Sequence, residues 1–462
     1  MAEAGPVASI LQPLMAAAGA QHVRPADPTA DAIDGVVPRL VVAPPDEASL
    51  ARVLAHCHRH RLAVAPRGGG TQLGLGGMPE RLDILLDVGG LARIVHYEPA
   101  DLTVTVQAGM RLGDLQAELG RHGQFLPVDP PAGDGATIGG LLATAASGPL
   151  RTGFGHLRDR LLGMRVVRAD GRVVRSGGRV VKNVAGYDMG RLHTGALGTL
   201  GVIVEATFKV QPRPPAWGAV RVQLDASGEG AGMAPSGASA APAAGAPPLD
   251  ADLLEALLAA LLDAPAQPVM LEVLGPPAQL LVGFAGTQGE VAFAVQQACR
   301  MAAAVADASG ARARTAAAVK AEPVPWPKAH GQALAAHRGS LPSLTVRLHG
   351  PSDRVAAVIA QVGADAAAAG VPWAYAAHAA AGVVRVHLGQ GPAETHQSLI
   401  QRWLALCGQW GGNLVVEAAP AALKPSLPVW GQPPSTLFLM RALKDKFDPH
   451  RILNPGRFVG GI

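Results

Sequence analysis

Residues 40–70 read LVVAPPDEASLARVLAHCHRHRLAVAPRGGG, and no other stretch restricts the fold as much. A short apolar strand (40–43) runs into a proline turn. Asp46 follows where a helix needs an N-cap, because a carboxylate can accept the N–H groups left open in a first turn. Leu50, Val53, Leu54 and Cys57 then recur at i, i+3, i+4 and i+7, the spacing of one helical face. A second strand (62–65) leads directly into glycines. The segment predicts a β-α-β unit with a glycine loop beyond its second strand. His56, His58 and His60 lie off the apolar face. His56 and His60 are one turn apart and could share a cation, but no acidic or third ligand accompanies them, and an exposed polar face accounts for them better.

The loop itself, PRGGGTQLGLGG (66–77), is half glycine with one charge. Glycine reaches positive φ cheaply and lets a ligand approach the main chain. Successive bare N–H groups form a nest for anions. A phosphate cradle and a plain surface turn both fit this composition. The dinucleotide fingerprint fails, since its last glycine would fall on Leu73, and no Lys-Ser or Lys-Thr follows to make a P-loop. Two more glycine-rich stretches lie downstream, at 128–159 and 191–211, and the chain as a whole decides between the readings.

The intervening segments are regular. LDILLDV, ARIVHYEP and LTVTVQAGM read as strands, and LGDLQAELGRHG as a helix with Leu112, Leu115 and Leu119 on its apolar face. RLLGMRVVRADGRVVRSG is a hairpin turning at Asp170-Gly171. Residues 226–248 are low-complexity Ala, Gly, Ser and Pro and cannot bury enough apolar surface to order themselves. Beyond them, alternating helices and strands predict a second domain, and LFLMRALKDKFDPHRILNPGRFVGGI ends the chain with an amphipathic helix and a proline-punctuated return.

Hydrophobic residues make up 49% of the 462 and charged residues 16%, a globular composition and not that of a disordered chain. The net charge is +4, concentrated where Arg151, Arg158, Arg160, Arg165, Arg168, Arg172, Arg175, Arg179 and Lys182 meet few acids. Such a stretch suits an anionic cofactor, a nucleic acid or a membrane surface, and equally a solvated face. Three scattered cysteines form no disulfide framework and no iron–sulfur spacing, which suits a reducing compartment. The first twenty residues carry no Lys or Arg, unlike a signal peptide. No span suited to crossing a membrane is apparent. A cytoplasmic protein, at most peripheral at the inner membrane, is expected.

Five separated segments carry a resemblance. PRGGGTQLG (66–74), ATIGGLLATAASG (136–148), LLGMRVVRADGRVV (161–174), KNVAGYDMGRLHTGALGTLGVI (182–203) and FDPHRILNPGR (447–457) together resemble the PCMH-type FAD-binding, or vanillyl-alcohol-oxidase, family. Within it, VVKNVAGYDMGRL (180–192) is most similar to FAD-binding subunits of bacterial glycolate oxidases and to related D-lactate dehydrogenases. The resemblance implies an α+β fold: a PCMH-type FAD-binding domain of two α/β subdomains (1–215), a low-complexity linker or insertion (216–250), an α+β cap domain (251–440) and a C-terminal segment returning to the flavin domain (441–462). It implies FAD as cofactor. Pro66, Arg67, Gly68, Gly69, Gly70, Thr71, Gln72 and Gly74 would cradle the pyrophosphate. Thr137, Ile138, Gly139, Gly140, Ser147 and Gly148 would form a second wall. Gly198, Gly201, Val202 and Ile203 would lie along the flavin, with Asn454 near the ring edge. Thr71 stands where covalent relatives carry a linking histidine, so non-covalent FAD is expected.

The family's catalytic members carry a C-terminal His-x-Gly-Asp-Gly-Asn-x-His signature that supports a metal or a substrate carboxylate. No such string occurs here; VRLHG (346–350), VRVHLG (384–389) and GGNLVVE (411–417) come nearest, and no metal is expected. In the first two, Arg347 and His349, and Arg385 and His387, share one strand face at period two. A guanidinium and a base could serve an α-hydroxy acid; a polar outer sheet face explains the pattern as well. The expected function is therefore an FAD-binding redox subunit of a glycolate (2-hydroxy acid) oxidase complex, beside a homologous catalytic flavoprotein subunit and an iron–sulfur subunit. The alternatives are a self-sufficient FAD-dependent D-lactate or other 2-hydroxy acid dehydrogenase, and a non-catalytic scaffold.

Overall fold

A computed structural model of the chain describes residues 4–180, 186–224, 249–308, 319–339, 341 and 344–462. Lys182 and the low-complexity stretch 226–248 lie outside the described residues. The chain divides into two units, the first formed by residues 1–147, 156–213 and 433–462, the second by 148–155 and 214–432. The tail thus joins the first unit from residue 433, and a short excursion at 148–155 belongs to the second.

The first unit holds the predicted β-α-β segment. Strands Leu40–Val42, Ile84–Asp87 and Val64–Arg67 pair in parallel, and Val23–Pro25 adds antiparallel to Leu40–Val42. The crossover helix Glu47–His60 is capped as expected: Asp46 Oδ1 accepts the Ser49 N–H at 2.7 Å. Leu50, Val53, Leu54 and Cys57 are fully buried against this sheet. His56 is not on an exposed face. It is 7% exposed, its ring lies 4.4 Å from that of His60, and its Nε2 is enclosed without a hydrogen-bond partner. A 14-residue helix covering a sheet buries more than its strict apolar stripe.

The same unit contains an antiparallel sheet ordered Ile94–Glu98, Thr103–Gln107, Val202–Lys209, Leu161–Val167 and Val173–Gly177. The last pair is the expected hairpin, with Gly171 at φ 83° in its turn. Helix Leu112–Gly120 buries Leu112, Leu115 and Leu119, and Ile138–Thr144 buries Ile138, Leu141 and Leu142; both groups join this sheet's core.

The second unit is built on eight antiparallel strands: Lys320–Val324, Ala216–Gln223, Gln279–Gly286, Met270–Gly275, Trp373–His378, Val383–Leu388, Leu344–His349 and Asn413–Ala418 in spatial order. Helices Ala251–Leu262, Gln288–Ala308, Val355–Ala368 and Ala393–Gly408 pack on one face, where Val346, Leu348, Val384, Val386 and Leu388 are buried. Helix Trp326–Arg338 covers the other face through Ala329 and Ala333, which meet Met270, Leu274, Leu281 and Ala376. None of the helices among the described residues is long and apolar enough to cross a membrane.

Candidate functional site: a glycine-walled cavity and a buried polar cluster

The first unit holds a partly open cavity of about 100 Å³ whose walls come from the separated glycine segments. Pro66, Arg67, Gly68, Gly69, Gly70, Thr71, Gln72, Thr137, Gly139, Gly140, Gly198, Gly201, Val202, Ile203 and Asn454 all line it. Gly74, Ile138, Ser147 and Gly148 do not. Ile138 turns into the core and is fully buried. Sequence reading missed the apolar lining of Leu141, Ala143 and Val88, and missed Arg457. Among the described residues, the charged ones lining the cavity are Arg67 and Arg457, and no carboxylate lines it.

Close packing explains the glycines. A Cβ on Gly68 would stand 2.1 Å from Thr137 Oγ1, and one on Gly69 would stand 2.4 Å from the Gly135 carbonyl oxygen. The two glycine segments therefore touch main chain to wall, which a side chain would prevent. Thr137 Oγ1 accepts the N–H of Gly140, capping its helix, and that of Gly69 across the gap. The Gly69 N–H is thus directed at Thr137.

Arg67 is held by two carboxylates, one from the neighbouring strand and one from the loop before Leu40–Val42. Its Nη1 donates to Asp31 at 2.8 Å, and its Nε and Nη2 donate to Asp87. Hydrogen bonds from Arg24, together with those from the Asp27 N–H and Arg67, hold the buried Asp31 carboxyl well below the usual carboxylate range. The tail closes the opposite side. Arg457 donates to the carbonyls of Leu73 and Leu75, tying the glycine loop down. Asn454, at φ 44°, donates from Nδ2 to the Leu197 carbonyl. Its Oδ1 is buried without a hydrogen-bond partner. A bare main-chain wall, no lining carboxylate and an unsatisfied polar atom fit an extended anionic cofactor such as FAD.

In the second unit, Arg385 and His387 are not on a polar outer face. They are 7% and 1% exposed beneath helix Trp326–Arg338. Arg385 donates from Nε and Nη2 to Glu417 at 2.5 and 3.2 Å, and from Nη1 to His337 Nδ1 at 2.9 Å. Glu417 shares its strand face with Val415, the partner of Arg347, opposite the buried Leu414 and Val416, and so reaches Arg385. His337 Nε2 then donates to Glu272 Oε2 at 2.5 Å, and His378 Nδ1 to Glu272 Oε1 at 2.8 Å. Burial would raise the Glu417 carboxyl, but the charges of Arg385 and Arg347 outweigh it and hold it at about 2. Burial drives His337 and His378 well below the ordinary histidine value, so both are neutral. His387 donates from Nε2 to the Ala336 carbonyl and accepts the Thr345 hydroxyl at Nδ1. Arg347 lies 3.4 Å from Glu417, while His349 is exposed at its strand's end.

Glu272, His337 and His378 are the one set of three metal-ligand-type side chains brought together among the described residues. In this geometry their facing atoms are hydrogen-bonded to one another. The sequence contained a clue to this cluster. Residues 378–385, HAAAGVVR, keep the first histidine and the second glycine of the eight-residue family signature, and Arg385 occupies the place of its last histidine.

Comparison with known proteins matches two segments of the chain to families. Residues 38–177 match the FAD binding domain family, and residues 259–458 match the C-terminal domain of FAD linked oxidases. Glycolate oxidase subunit GlcE of Escherichia coli is 42% identical over 132 residues, covering 28% of this chain and 38% of that protein. Subunit GlcD of Bacillus subtilis is 35% identical over 178 residues, 38% of each chain. The mitochondrial D-lactate dehydrogenase [cytochrome] of Arabidopsis thaliana is 33% identical over 178 residues, covering 38% of this chain and 31% of that one. The matched stretches thus span 31–38% of the length of these relatives. Among solved structures, p-cresol methylhydroxylase with substrate bound superposes with a TM-score of 0.67 at 16% identity, covering 98% of this chain and 97% of that one. An alkyldihydroxyacetonephosphate synthase gives 0.67 at 16% over 97% and 84%. With an FAD-binding domain followed by an FAD-linked oxidase C-terminal domain, the chain belongs to the FAD-linked oxidase family, and FAD is its cofactor.

Proposed function

We propose that this chain is the FAD-holding redox subunit of a glycolate, or related 2-hydroxy acid, oxidase assembly, and that it oxidises such an acid poorly by itself. FAD, when bound, supplies the acceptor for the hydride leaving the α-carbon. The chain's own contribution is to bind and orient it. The glycine segments admit the pyrophosphate to the main chain, the tail residues Asn454 and Arg457 hold the surrounding loops, and Thr71 leaves the attachment non-covalent. The partners are a homologous catalytic flavoprotein and an iron–sulfur subunit that passes electrons on, a reading supported by likeness to GlcD and GlcE.

One observation carries the claim of weak independent catalysis. Arg385 is buried, its charge is paired with Glu417, and three of its five N–H donors go to Glu417 and His337. A substrate carboxylate needs an accessible guanidinium whose charge is not already paired with another carboxylate, and a base must reach the hydroxyl proton. His387 is likewise engaged at both ring nitrogens. The test is anaerobic mixing of the FAD-loaded chain with glycolate. Slow bleaching of the flavin alone and rapid bleaching with the homologous subunit are expected. Rapid bleaching by glycolate or D-lactate with the chain alone would establish the self-sufficient dehydrogenase instead. No bleaching under any combination would point to the scaffold.

A further inference from the structure

Lys444 is the least expected charge in the first unit. It sits on the exposed helix Leu437–Phe447, yet it is that helix's one buried residue, 1% exposed. Burying an ammonium is costly unless every donor is satisfied. Here all three are. Nζ donates to the Thr199 carbonyl at 2.9 Å, to Asp448 Oδ2 at 2.8 Å and to the Leu453 carbonyl at 2.8 Å. Asp448 is itself fully buried and also accepts the N–H groups of Ile452 and Leu453. Lys444 does not line the cavity, but its acceptors bracket two stretches that do. Thr199 follows Leu197 and Gly198; Leu453 precedes Asn454. Those stretches meet where Asn454 Nδ2 donates to the Leu197 carbonyl. Leu197 and Asn454 both hold left-handed backbone, at φ 50° and 44°, a conformation that persists only where its surroundings enforce it. The same tail extends the strand that feeds the glycine loop: Val64 donates to the Ile452 carbonyl, and Asn454 to that of Val64.

We infer that Lys444, with Asp448, is a positioning residue for the cofactor. It fixes the separation of residues 197–199 from residues 453–454, and so the wall on which Gly198 and Asn454 meet FAD. The inference rests on the FAD assignment and concerns binding, not hydride transfer. It requires Lys444→Met to weaken FAD binding by more than loss of stability explains.

The experiment compares wild type, Lys444→Met, the double variant Lys444→Met/Asp448→Asn and the surface control Lys446→Met. The double variant leaves no unpaired buried charge and so protects folding. FAD dissociation constants, the visible circular dichroism of bound flavin and the melting of the FAD-free protein are measured for each. At least tenfold weaker FAD binding and an altered flavin dichroism are expected in whichever Lys444 variant folds cooperatively, with Lys446→Met unchanged. A folded Lys444 variant with wild-type FAD affinity and dichroism overturns the inference. If neither variant folds, amide exchange in wild type decides: FAD must slow exchange across 196–201 and 452–457 together. Protection confined to 66–77 and 136–140 overturns it. Failure of wild type to bind FAD would instead refute the cofactor assignment.

Discussion

Gly68→Ala is a one-carbon change whose effect follows from the packing. The new Cβ would lie 2.1 Å from Thr137 Oγ1 and 3.2 Å from Thr137 Cβ. The hydroxyl must retreat by roughly 1 Å to restore ordinary contact. It cannot do so and still accept the N–H groups of Gly140 and Gly69, which it holds at 3.4 and 3.3 Å. Loss of the cap costs about 1 kcal/mol, and overpacking adds about 1–3 kcal/mol. Because the strain falls on two walls of the cavity, about 1.4–2.7 kcal/mol of it is expected to appear in binding, a tenfold to hundredfold rise in the FAD dissociation constant. Flavin fluorescence quenching on titration measures it. A second variant tests the cause. Thr137→Ala removes the obstructing hydroxyl, so Gly68→Ala should add little in that background, giving strongly sub-additive effects. Wild-type affinity in Gly68→Ala, or additive losses in the double variant, would refute the reasoning.

Two further outcomes follow. Acid precipitation of the FAD-loaded protein should release all flavin to the supernatant, because Thr71 offers no ring nitrogen for attachment; flavin retained in the pellet would show a covalent bond formed elsewhere. Burial pushes His387 and His193 down to about 4, from an ordinary value of 6.5. The unfolded chain then binds more protons between those values, so stability is complete above pH 6.5 and falls as pH drops toward 4, by about 1.4 kcal/mol per pH unit for each group. Urea midpoints at pH 7 and pH 5 measure it, and His387→Gln should flatten the slope; an unchanged slope would show that His387 is not titrating.

Local periodicity made the scaffold legible. The face of helix Glu47–His60, its Asp46 cap, the hairpin at Asp170-Gly171 and the apolar face of helix Leu112–Gly120 all follow from spacings within a dozen residues. The cavity's glycine segments were legible as a set, because each needs a bare main chain at a contact. Ile138 shows the limit. It stands between two lining residues, but the helix that begins there rotates it into the core. Burial of Arg385 and His387 was not legible either. Period two sorts side chains between two faces and says nothing about what covers each. That cover comes from helix Trp326–Arg338, and the partners Glu272 and Glu417 arrive from 106 residues before His378 and 32 after Arg385. His56 fails for the same reason: helical spacing does not reveal how far the neighbouring chain wraps around its edge.

The account's central claim is that FAD occupies the glycine-walled cavity of the first unit. Photolabelling with an 8-azido flavin analogue of FAD, followed by peptide mapping, tests it most directly. One label per chain is predicted, carried by peptides within 66–75, 137–146, 197–203 or 452–457 and displaced by excess FAD. FAD-sensitive labelling confined to peptides from 214–432 would contradict it.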